Sequence, residues 1–131
     1  MTEEEKSNYT ANIINGPMKS LIEKAIKNHF CVDTNLNATV HKGGWDGGYY
    51  TTVIDTLETD VIKKMLSNKL LRSIFKTVSL YGTAWYNGGN NTVSISFNVT
   101  YEHPNGGSNG KTIGILDVYI NTGKYKWRKV F

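Results

Sequence analysis

Three cations, Lys124, Lys126 and Arg128, alternate with Tyr125 and Trp127 close to the C-terminus, and Lys129 follows directly. Successive strand residues point to opposite faces. The spacing therefore predicts a cationic row on one side of a terminal strand and an aromatic row on the other. The cations could contact phosphates or carboxylates, while Tyr125 and Trp127 pack inward. A base-stacking platform needs its aromatics on the same exposed face as the cations, which this spacing denies. Four phosphate contacts by these residues would give a log–log salt slope of about −3.6. The competing reading is an edge strand blunted by charge against aggregation.

Asp117 interrupts an apolar row, since Ile113, Ile115 and Tyr119 share its parity and Leu116, Val118 and Ile120 form the other row. If the first row faces the core, a buried carboxylate must find a partner and becomes a candidate base or ligand anchor. If the second row faces the core, Asp117 points to water beside Lys126 or Arg128 as an ordinary cross-strand ion pair. His103 is the other weak candidate for acid–base work. No coherent set of acid, base and nucleophile accompanies either.

Gly106-Gly107-Ser108-Asn109-Gly110-Lys111-Thr112 resembles a phosphate-binding loop, but Asn105 stands where the first glycine belongs. Such a loop must also open a helix whose N–H groups face the phosphate. Ile113, Ile115, Val118 and Ile120 predict a strand, so the segment reads as a hairpin turn that leaves Lys111 as a further cation. His29, Cys31 and Asp33 are close in sequence, yet a metal would need a fourth ligand from elsewhere. His29 falls on an apolar helix stripe and Cys31 at a helix end, where a packed ring and a small core residue are expected. No metal or cofactor is predicted. Trp45, framed by Gly43-Gly44 and Gly47-Gly48, has no neighbouring side chains to shield it and is expected to touch a partner. Trp85 is expected to pack.

These residues belong to a chain of 131 residues with a formal charge of +4. The charge is uneven: up to Asp60 acids outnumber lysines, and beyond it only Glu102 and Asp117 oppose the cations. Such polarity steers an anionic partner to one side. The start, Met-Thr-Glu-Glu-Glu-Lys, lacks the features of a secretory signal, and Cys31 is the sole cysteine. A reducing, cytoplasmic location is expected, without a membrane span.

Residues 1–131 are expected to form one α+β domain, with 1–15 a loosely ordered arm. Period predicts a helix over Pro17–Phe30. Strands follow at Leu36–Lys42 and Tyr49–Ile54, then a second helix from about Thr56 or Thr59 to Phe75. Val93, Ile95, Phe97, Val99 and Tyr101 alternate with polar residues in the clearest strand, part of a four-stranded C-terminal meander. The order resembles that of the cystatin-like and nuclear-transport-factor-like rolls. That resemblance implies a curved antiparallel sheet of about six strands packed on one or two helices.

Two functions from different classes follow. The first is a non-catalytic binder of an acidic protein, a nucleotide-like ligand or nucleic acid, in the manner of an inhibitor or sequestering protein of a phage or mobile element. Its contacts would be Lys124, Lys126, Arg128, Lys129, Lys111 and Trp45. The alternative is a small-molecule enzyme using Asp117 or His103 in a pocket. The absence of a catalytic set favours the binder. An exposed sheet face also admits a homodimer.

Overall fold

The computed structural model describes residues 2–31, 33–43, 47–54, 78–102 and 108–130. Among the described residues, two helices, α1 (Glu3–Asn15) and α2 (Lys19–Phe30), precede six strands. These are β1 (Thr39–Lys42), β2 (Tyr49–Ile54), β3 (Val78–Asn87), β4 (Thr92–Glu102), β5 (Ser108–Tyr119) and β6 (Tyr125–Lys129). The expected helix from Thr56 or Thr59 to Phe75 lies outside the described residues.

The N-terminal residues form a helix, not the expected loose arm. Thr2 caps α1 by accepting from the Glu5 backbone N–H at 3.1 Å, and the Glu5 carboxylate returns to the Thr2 backbone. This reciprocal box, with Glu3, Glu4 and Glu5 in the first turn, satisfies the free N–H groups and opposes the helix dipole. Gly16 ends the helix, and α2 begins two residues later than Pro17 suggests. Cys31 closes α2 in the left-handed region, its N–H donating to the Lys27 carbonyl at 2.9 Å.

All six strands pair antiparallel with their neighbours in sequence, in the order β1-β2-β3-β4-β5-β6. This corrects the expected curved roll. The sheet is open, with β1 and β6 as opposite edges, and it does not wrap a helix. At about 4.8 Å per strand, its edges stand about 24 Å apart.

Both helices lie on one face. α1 packs against β1, β2 and β3, burying Ala11 and Ile14, and Thr51 donates to the Ser7 carbonyl. α2 buries Ile22, Ala25 and Ile26 in the core it shares with Val53, Val93, Ile95, Phe97, Leu116 and Val118. Its end reaches β6, where Phe30 stands edge-on to Trp127 at 4.9 Å and to Phe97 at 5.6 Å. Gly114 makes room for this group, because a Cβ there would overlap the Trp127 ring. The Asn15 amide ties the layers together, donating to the Ala38 carbonyl and accepting from its N–H at 2.9 and 2.7 Å.

Candidate functional site

Residues opposite one another in a sheet share a face. Leu116 and Val118 are fully buried beneath the helices, so Asp117 belongs to the opposite face, which no described helix covers. We call this the outer face. One row of it crosses the sheet. His41 opposes Tyr50, Trp85 opposes Ser94, Ser94 opposes Asp117, and Asp117 opposes Lys126. Extending the Thr51–Ala84 pairing by one residue brings Tyr50 beside Trp85.

At the β5–β6 end the row is polar and charged. Arg128, diagonal to Asp117, donates from Nε to Oδ2 at 2.7 Å and from Nη2 to Oδ1 at 3.2 Å. Ser94 Oγ donates to Oδ1 at 2.5 Å. The pair is asymmetric in exposure, the Asp117 side chain being 16% and Arg128 48% accessible. A planar guanidinium forked onto both carboxylate oxygens has a fixed orientation. Its outward edge remains presented to solvent. Among the described residues, no acid lies within ion-pair distance of Lys126, which is exposed.

Beyond this clasp the outer face is knitted by Asn98. Its amide donates to Thr83 Oγ1 at 2.9 Å, and its oxygen accepts from Thr112 Oγ1 at 2.7 Å and Ser96 Oγ at 3.0 Å. These bonds join β3, β4 and β5 across the bulge at Phe97/Asn98. A buried amide with its capacity engaged rigidifies the surface on which the row stands.

At the other end the row is aromatic. Tyr50 and Trp85 are each 39% exposed, so Trp85 does not pack away as expected. His41 stacks on Tyr50 with centroids 5.0 Å apart and planes 22° apart, and its Nε2 shares a 2.8 Å hydrogen bond with Thr52 Oγ1.

The remaining sequence candidates are dispersed. Lys124 follows the turn at Gly123, where its carbonyl accepts from Tyr119 N–H at 2.9 Å. It also lines a cleft of about 440 Å³ with Leu21, Lys24, Ala25 and Asn28 of α2. Lys129 is exposed opposite Gly114, in the row that faces the helices. Lys111 sits in β5 opposite Val99. Trp45 and His103 lie outside the described residues. Ser108 to Thr112 are strand residues, so this part of the glycine-rich segment opens no helix.

The Asp117 alternatives resolve to the cross-strand ion pair, with Arg128. Tyr125 and Trp127 pack against the core as the alternation predicted. His29 is exposed yet touches the rings of Phe30, Tyr125 and Trp127. Cys31 is exposed, not a core residue, because the left-handed cap turns it outward. Asp33 pairs with Lys27 at 3.2 Å, and no group of three or more metal-ligating side chains gathers among the described residues. Tyr50, Trp85 and His41 are the site residues that sequence reasoning missed. Their signal was parity: Trp85 alternates with the buried Ala84, and Tyr50 with the buried Thr51.

No protein-family model, curated protein or solved structure matches the chain.

Proposed function

We propose that this chain is a non-catalytic binding protein that captures an anionic partner on the outer face of its sheet. The observation that carries the reading is the pair Lys126 and Arg128. Both are exposed on the same face of β6, one without an acid partner among the described residues and the other held in a fixed orientation by Asp117. Electrostatic attraction supplies the encounter, and a preset guanidinium loses little entropy on binding. Asp117 suits the role of clasp better than that of base, since both its oxygens already accept from Arg128 and one also from Ser94.

The test is binding of a short inorganic polyphosphate at several salt concentrations. Lys126→Ala with Arg128→Ala is expected to weaken binding and flatten the log–log salt slope by roughly one, since Asp117 already offsets the Arg128 charge. Lys24→Ala, in the cleft under α2, is expected to leave both nearly unchanged. Equal binding by the double variant and the unaltered protein would refute the proposal.

A further inference from the structure

The row that ends in Lys126, with Arg128 diagonal to Asp117, begins with two exposed aromatic rings, and between them lie Ser94 and the Asp117 carboxylate that Arg128 offsets. We infer that the anionic partner is a single-stranded nucleic acid laid across the strands, its bases stacked on Tyr50 and Trp85 and its phosphates met by Lys126 and Arg128. This rests on the anionic-partner reading above and names the partner's class.

Three features of the face favour this occupant. First, cations and open aromatics stand on one side of one sheet, the combination that non-specific single-strand binders use. Alternation within β6 separates Lys126 from Trp127, but pairing of β2 and β3 with the rest of the sheet supplies other rings on the correct side. Second, the rings are prepared. His41 braces Tyr50 by stacking and is itself held by Thr52. No ring contact joins Tyr50 to Trp85 among the described residues, so neither ring occupies the other's stacking surface. Third, the centre between rings and cations holds Ser94 and Asp117, with Thr83 and Ser96 in the next row. A folded protein partner would favour an apolar centre. The Ser94 and Ser96 hydroxyls already donate to Asp117 and Asn98, so this centre is polar and offers no apolar contact to such a partner. In a duplex the bases are already stacked on one another, which leaves no base face for Tyr50 or Trp85.

The dimensions agree. Tyr50 on β2 and Lys126 on β6 are four strand spacings apart, about 19 Å. At about 3.4 Å per stacked nucleotide this spans on the order of five or six nucleotides, within the range of small single-strand sites.

The experiment compares a single-stranded oligothymidylate with an inorganic polyphosphate of similar charge, using the full chain. Trp85→Ala and Tyr50→Ala are expected to lower oligothymidylate affinity about 5- to 150-fold each, and to leave polyphosphate affinity unchanged. Trp85→Phe, which keeps a stacking ring and guards against misfolding of the alanine variant, is expected to retain most of the affinity. If the aromatic variants bind oligothymidylate as the unaltered protein does, or lose both ligands equally, base stacking is overturned while capture of anions stands. If the unaltered protein binds neither ligand, both readings fall together.

Discussion

Asp117 sets how much positive charge the outer face offers. Its fork with Arg128 cancels one cation's charge while fixing where the guanidinium stands, so Lys126 is the full unit charge of the pair. The slope expected from four independent cations is therefore too steep for this face. Asp117→Asn keeps the shape, and a carbonyl oxygen to accept from Arg128, but removes the negative charge. It is expected to tighten polyphosphate binding and to steepen the log–log salt slope by roughly 0.7 to 0.9. The cost to stability should be about 1 kcal/mol or less, as for other partly exposed pairs. Weaker binding in the variant would mean that Arg128 must be clasped to act at all. At this scale the sequence was informative about β6, because strict alternation separates Lys126 and Arg128 from Tyr125 and Trp127. It could not choose between the two rows around Asp117, since Ile113 and Ile115 make its own row as apolar as the other.

Among the elements, β4 was the most legible, because Val93, Ile95 and Phe97 alternate with Thr92, Ser94 and Ser96 without interruption. α1 was the least. It buries Ser7, Thr10, Ala11 and Ile14, a stripe too small and polar to stand out against its neighbours, although the Thr2-to-Glu5 capping box was present to be read. The Phe97/Asn98 bulge shifts the register along β5, so Thr112 joins the Asn98 network although its parity matches Leu116. The seat of β6 depends on Gly114, whose hydrogen leaves room for the Trp127 ring against Phe30 and Phe97. Gly114→Ala is expected to lower unfolding free energy by about 1–3 kcal/mol, the usual cost of overpacking, read as a reduced denaturation midpoint at unchanged m-value. An unchanged midpoint would mean that Trp127 does not rest on β5. Since Lys126 and Arg128 ride on this strand, their placement depends on a core contact on the opposite side of the sheet.

Across the molecule, the acidic start of α1 and the basic strand β6 lie toward opposite edges of an open sheet. α1 covers the β1–β3 side, and β6 forms the far edge. The uneven charge read from the sequence thus becomes a spatial polarity. The outer face was only half visible beforehand. Its cations are local in the chain, whereas Tyr50 and Trp85 reach the same row through pairings across all six strands. The layout resemblance suggested a roll, because strand order and length say little about whether edges meet. The most direct test of an anion-capturing outer face is a ¹⁵N–¹H titration of the labelled protein with polyphosphate. The account predicts that amide shifts move along Ser94, Asp117, Lys126 and Arg128 while those of Leu21, Lys24 and Asn28 stay fixed. Movement confined to the α2 cleft, or none anywhere, would contradict it.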